Sequence, residues 1–168
     1  MKKILFTVLL MVTAGLFAAD MKLAYINTEK LMSDNPEAVK AKTELTKWNK
    51  IKEGEALKMQ KEVEKLEEEM KNMSMLISEE KKKEKLAEGQ KKYQEFLMFK
   101  EKTWGQNGDY YAENKKLMEP IIKKINDTIK MVSERDGYDF VLDANTGSLL
   151  FAKPSYDITE KIQKELAK

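Results

Sequence analysis

Two short clusters of soft apolar side chains stand out in a chain that is 36% Asp, Glu, Lys and Arg. The first is Met73, Met75, Leu76 and Ile77; the second is Phe96-Leu97-Met98-Phe99. Methionine is flexible and polarisable, so the first cluster suits contact with varied apolar sequences. The competing reading is that Met73 and Ile77 close a helical seam while Met75 and Leu76 pack locally. Four consecutive apolar residues on a helix cover about 400° of arc, more than one seam can bury. With Leu97 assigned to the seam, part of Phe96, Met98 and Phe99 is expected to face outward, unless the seam widens to take in one of them. The chemistry these residues offer is contact.

Bond-making chemistry has little to stand on. The chain has no His, the commonest general base near neutral pH and the commonest metal ligand, and no Cys. No Gly-x-x-x-x-Gly-Lys-Ser/Thr phosphate loop or His–Glu metal motif occurs. Acidic residues are so abundant that any chosen carboxylate pair is uninformative. Asn145–Gly147 is better explained by strand reversal than by ligand binding. The expectation is a non-enzyme without cofactor or metal.

The contact residues sit on a long apolar periodicity. Met59, Val63, Leu66, Met70, Met73 and Ile77 keep a 3-4 rhythm; so do Leu86, Tyr93, Leu97, Trp104, Tyr111, Met118, Ile122, Ile125, Ile129 and Val132. Spacing that averages 3.5 residues puts one narrow seam on each of two wrapped helices. A break near Ser74–Ser78 separates them, so the fold expected is mainly α with a small β head, its arm a long antiparallel helical hairpin. Glu67-Glu68-Glu69 and Lys81-Lys82-Lys83 with Lys85 lie at similar distances from the turn. They are expected to pair across it and fix register, each exposed pair being worth about 0–1 kcal/mol. A lipid- or partner-binding patch is the weaker reading of the lysines.

The first helix is expected from Pro36 to about Met73, with Asn35 as N-cap, and spans roughly 55 Å. Its early seam is Ala38, Ala41, Leu45 and Trp48; the rhythm then places Lys52 and Glu55 on the seam beside Gly54. The second helix is expected from Ser78 to Asp136–Gly137, with Pro120 kinking it and Gly105 and Gly108 interrupting it. Folding the hairpin brings Gly54 to within a helical turn or two of Gly105 and Gly108. These three glycines are read as a soft joint midway along the arm; relief of crowding by Trp104, Tyr110 and Tyr111 is the alternative.

Outside the arm the period changes. Lys22–Asn27 reads as a strand, and Tyr138–Asp143 and Ser148–Ala152 as a hairpin around Ala144–Gly147. Ile158, Ile162 and Leu166 form one stripe on a final helix opened by an Asp157–Glu160 capping box. The division expected is a head of residues 20–35 and 137–168 and an arm of 36–136 with its tip at 73–78. Such a small sheet is marginal alone and its edges need partners, so oligomerisation is expected through Leu23, Tyr25, Phe140, Leu142, Leu149 and Phe151.

Lys2 and Lys3, an apolar run Ile4–Phe17 and then Ala18-Ala19 make a secretory signal peptide over residues 1–19; an uncleaved anchor is the alternative, though the run is short for a membrane span. Of 31 basic and 29 acidic residues, removing those two lysines leaves 29 against 29. A neutral exported chain lacks the basic field that nucleic-acid binders need. Membrane contact is at most peripheral.

Lys22–Asn27 opening a strand, Thr28–Leu31 leading to a helical hairpin, Met118-Glu119-Pro120-Ile121, Tyr138–Asn145 as return strand and Asp157-Ile158-Thr159 together resemble the Skp/OmpH family of periplasmic chaperones. The resemblance implies a homotrimer in which strands from three chains build a small β-barrel, with three arms extending around a cavity. It implies an ATP-independent holdase for unfolded outer-membrane proteins. Strongly basic arms are associated with the best-known member of that family, so a neutral mature chain shifts weight onto apolar contacts. A secreted coiled-coil scaffold without chaperone activity is the alternative.

Overall fold

The computed structural model describes residues 21–73 and 78–168. The expected signal segment and the tip residues Met75, Leu76 and Ile77 lie outside the described residues. The elements in chain order are β1 (Leu23–Ile26), α1 (Thr28–Ser33), α2 (Pro36–Met73), α3 (Glu79–Trp104), α4 (Asp109–Asp136), β2 (Phe140–Asp143) and α5 (Thr159–Leu166). Single 3-10 turns lie at Ala144–Thr146 and Pro154–Tyr156.

Local chemistry sets most of the boundaries. Asn27 Oδ1 accepts from the Lys30 amide at 2.8 Å and starts α1. Asn35 Oδ1 accepts from the amides of Glu37 and Ala38, with Pro36 as first helical residue of α2. The Ser78 side chain caps α3. Gly137, at φ 70°, closes α4 in the left-handed conformation, its amide and that of Tyr138 donating to Ser133 O. The final helix differs from its expected start. Asp157 Oδ1 accepts from the amide of Thr159, two residues on, so an Asx turn replaces the Asp157–Glu160 box.

α2 lies antiparallel to α3 and α4. Going up α2, Glu37 meets Lys124, Asn49 meets Trp104 and Glu62 meets Lys92. The second helix is not continuous: it breaks between Trp104 and Asp109. α4 then runs through Pro120 without interruption.

The core sits where the strands meet the feet of α2 and α4. Ala24, Ile26, Leu31, Ala38, Ala41, Ile121, Ile125, Val132, Ile158 and Ile162 form one buried cluster, so it crosses the expected boundaries at 36 and 136. The stripe Ile158, Ile162 and Leu166 packs inward as the period requires.

The strands pair differently from the hairpin expectation. β1 and β2 are parallel neighbours, with Leu23 opposite Phe140 and Tyr25 opposite Leu142. Residues Ser148–Ala152 form no strand with β2. Instead, Asp157 bridges to Tyr25 on the other edge of β1, and the Ile158 amide donates to Tyr25 O at 2.9 Å. The chain after β2 must therefore cross to the far edge of β1 rather than turn back, and it leaves Leu150 and Phe151 94% and 83% exposed.

Candidate interaction surfaces

The strand alternation gives the small sheet two unlike faces. Ala24, Ile26 and Val141 point into the core, while Leu23, Tyr25, Phe140 and Leu142 line the other face. Leu149, Phe151 and Tyr156 join that second face around a depression of about 290 Å3. All but one of the six residues expected to mediate assembly line it together; Phe140 lies beside them as the register partner of Leu23.

The rim of the sheet is held by polar contacts. The Asp143 carboxylate accepts from Thr28 Oγ1 at 2.6 Å and from the Asn145 amide at 3.0 Å. Burial works to raise this carboxyl, but the hydrogen bonds from Thr28 and Asn145 outweigh it and hold it below the ordinary range. On the opposite side, Asp136 is bonded by Arg135 at 2.8 Å and by Lys161 at 2.8 Å, and Arg135 reaches Glu165 at 2.9 Å. Those hydrogen bonds hold the Asp136 and Glu165 carboxyls low and raise Lys161. The Tyr138 ring lies under Lys22 at 4.5 Å and Lys161 at 5.3 Å. The network ties α4 to α5 and β1.

Midway along the helices, Gly105 and Gly108 make the break. Gly105 ends α3, and a Cβ there would overlap the carbonyl oxygen of Glu101. At Gly108 a Cβ would lie 2.7 Å from Lys102 O and 2.9 Å from Thr103 O. Between them Asn107 takes φ 65°, a left-handed value uncommon outside glycine. Gly54 is different: it sits inside α2 with nothing within 4 Å of its missing Cβ. Aromatic rings clasp the break. Trp104 Nε1 donates to Asn49 Oδ1 at 2.8 Å, Phe99 meets Trp104 edge-on at 6.0 Å, and Trp48 meets Tyr110 at 6.3 Å. Lys52 and Glu55, expected as a weak point in the seam, pair at 2.8 Å, with Lys52 Nζ 5.9 Å from Trp48 and 5.8 Å from Phe99.

The α2 seam is as the rhythm requires: Ala38, Ala41, Leu45 and Val63 are buried, and Trp48, Met59, Leu66 and Met70 half-buried. On α3 the expected seam is displaced by one residue. Apart from Glu95, the half-buried positions before Thr103 are Lys82, Lys85, Gly89, Lys92, Phe96 and Phe99, leading to buried Thr103. They keep the 3-4 spacing, and Lys92 Nζ reaches Glu62 of α2 at 3.0 Å, so this row faces α2. Leu86 and Tyr93 are each 48% exposed, Leu97 39% and Met98 62%. Phe96 and Phe99, expected in part outside, thus lie on the α2 side, while Leu97 of the expected seam lies outside. Met73 ends α2. On α4, Ile121 is buried and Ile122 and Tyr111 are exposed, again against expectation.

Among the described residues, the lysine run shows no ion pair across the turn, against expectation. Lys82 bonds Glu79 at 2.6 Å and Lys85 bonds Glu88 at 3.0 Å, both within α3. The i, i+3 partner needs no long reach between helices, so the local pair forms. The hydrogen bond and charge of Glu88 raise the Lys85 amine, and Glu69 on α2 adds only a smaller effect.

Residues 22–166 match the family model described as outer membrane protein (OmpH-like). Chaperone protein Skp of Vibrio cholerae serotype O1 is 41% identical over 46 residues, covering 27% of this chain and 26% of that protein. Chaperone protein Skp of Yersinia enterocolitica is also 41% identical over 46 residues, covering 27% of each. The alignments therefore span about a quarter of these relatives. A solved OmpH-like protein from Caulobacter crescentus CB15, described as a candidate outer membrane chaperone, superposes with a TM-score of 0.74 at 13% identity, over 87% of this chain and 83% of its own. At that identity the likeness is one of fold.

Proposed function

The chain belongs to the Skp/OmpH family, and we propose that it is an ATP-independent periplasmic holdase that encloses unfolded outer-membrane proteins between helical arms and prevents their aggregation. The observation that carries this reading is the apolar row Leu86, Tyr93, Leu97 and Met98, which α3 leaves in solvent. A helix packed along one partner needs one apolar face; apolar side chains left exposed beyond it cost solubility and stability unless they have a use. Weak, exchangeable apolar contacts suit a partner that must be released unfolded. A neutral mature charge fits contact by apolar surface more than by steering.

The assembly belongs to the same proposal. The open face of Leu23, Tyr25, Phe140, Leu142, Leu149 and Phe151 would be covered by other copies of the chain, three copies giving a closed barrel with three arms. The Gly105–Gly108 break would act as a joint that lets the arms spread, with Met73, Met75 and Leu76 adding contacts at the tip. No helix among the described residues is long and apolar enough to cross a membrane.

The test is light scattering of a urea-unfolded outer-membrane β-barrel protein diluted with and without the chain, alongside native mass spectrometry. Suppressed scattering by a trimer is the expected result. A variant with Leu86, Tyr93, Leu97 and Met98 changed to Ser should keep its helicity and mass and lose most of the suppression. Undiminished suppression by that variant rules out the row as the holding surface. A trimer that leaves scattering unchanged points to an envelope scaffold instead.

A further inference from the structure

Two rows of α3 compete for one partner. The row now against α2 is Lys82, Lys85, Gly89, Lys92, Phe96, Phe99 and Thr103, and its first four members bring three ammonium groups and a glycine. Opposite that end of α3, α2 offers Val63, Leu66 and Met70. Apolar side chains thus meet lysine stems and a missing side chain. One residue further round the helix, about 100° of rotation, runs the row Lys83, Leu86, Gln90, Tyr93, Leu97 and Lys100, whose apolar members Leu86, Tyr93 and Leu97 are exposed. It has the apolar content that the α2 row could bury.

The exposed row is already docked at one end. Trp104 lies eighteen residues beyond Leu86, about five turns, and so on the same line along α3. It is half-buried and donates from Nε1 to Asn49 of α2 at 2.8 Å. The same line of side chains therefore touches α2 beside the break and stands in solvent further out. α3 is also separated from α4 by Gly105–Gly108, so rotation of α3 need not turn α4 against the core. Among the described residues, two side-chain bonds cross from α3 to α2, Lys92–Glu62 and Trp104–Asn49. The first is an exposed ion pair, of a kind worth little.

We propose that α3 has two seams and rolls about its axis by one residue. In the facing seen here, the row Leu86, Tyr93 and Leu97 is open. In the rolled facing, Leu86, Tyr93 and Leu97 are buried against Met59, Val63 and Leu66, and Lys82, Lys85 and Lys92 face solvent together with Phe96 and Phe99. The roll is a cover for the apolar row, built from α2 itself. This inference rests on the holding role proposed above for its purpose, and not for its existence.

The chain has no native cysteine, so disulfide trapping is clean. Three double variants share Met59→Cys, paired with Phe96→Cys, Leu97→Cys or Glu95→Cys. In the facing seen here the first pair lies at the seam, and Leu97 and Glu95 lie about 100° to either side of Phe96. A disulfide needs Cα atoms within about 7 Å. Under mild oxidation without client, the Phe96 pair should close fastest and the Leu97 pair at least about tenfold faster than the Glu95 pair, because only Leu97 comes to the seam on rolling. Equal rates for the Leu97 and Glu95 pairs overturn the roll. Aggregation assays on the trapped forms read its purpose: the Phe96-locked form should hold client, and the Leu97-locked form should do so several-fold less. If the wild type itself fails to suppress aggregation, the holding role falls while the trapping rates still decide the roll.

Discussion

The two halves of the long helices are packed by different rules. Below the Gly105–Gly108 break, α2 and α4 share a core with the strands and α5, and Ile121, Ile125, Val132 and Ile162 are 5% exposed or less. Above it, Val63 is the one buried apolar side chain among the described residues, and α3 offers it lysines and a glycine. The lower half is a folded core that happens to be helical. The upper half keeps its shape through helix propensity, capping and a lightly packed seam, and it leaves apolar surface free to meet something else.

The largest test of that contrast is truncation of buried side chains. Ile162→Ala should cost about 2–5 kcal/mol and unfold the strands together with the feet of α2 and α4. Val63→Ala in the upper half should cost about 1–2 kcal/mol and leave the lower half intact. Denaturant titration followed by circular dichroism would show it; equal losses would mean that the two halves share one core.

Next come the glycines. Gly105→Ala meets the Glu101 carbonyl and should destabilise by on the order of 1–3 kcal/mol. Gly54→Ala, in the open interior of α2, should stabilise by about 0.5–1 kcal/mol. A stabilising Gly105→Ala would show that the break is dispensable.

Hydrogen exchange gives a finer measure. Amides of Lys85–Lys92 should exchange well ahead of those of Ile125–Val132, because local opening follows burial. Matching protection in both segments would erase the distinction between the halves.

Acid should produce the smallest effect, confined to the lower half. The Asp136, Asp143 and Glu165 carboxyls are held low in the folded chain, so their contribution is present above about pH 4 and lost as pH falls below it. Lys161 is raised, so its contribution is complete below about pH 10 and lost only above its folded value. The melting temperature should stay level between about pH 5 and 9 and decline below about 4, modestly because the partners Arg135 and Lys161 are 47% and 44% exposed, which lets solvent screen the pairs. A flat profile down to about pH 2 would remove the network from the stability account.

Much of this was legible in the chain. Asn35 before Pro36, Ser78, and Gly137 after Arg135 mark helix ends through local hydrogen bonding and backbone freedom, which need no partner. The seam of α2 was legible as well, because Ala38, Ala41 and Leu45 leave no other face for it. Leu23, Tyr25, Phe140 and Leu142 of the open sheet face follow from strand alternation, whereas Leu149 and Phe151 join them without the strand expected for Ser148–Ala152. The tip residues Met75 and Leu76 lie outside the described residues.

What the sequence determined by itself is period: helix after helix, a β segment at each end, and glycines where the chain cannot continue as a helix. What only the tertiary structure decided is phase and pairing. A 3-4 rhythm in α3 fits two rows one residue apart, and the row that meets α2 depends on where the break sets the axis and on what α2 presents. Likewise, Ser148–Ala152 has strand composition, yet the Ile158 amide beyond it donates to Tyr25 O on the far edge of β1 and draws the segment away from β2. Periodicity is a property of neighbours along the chain, whereas the choice of face is made by residues that are distant in it.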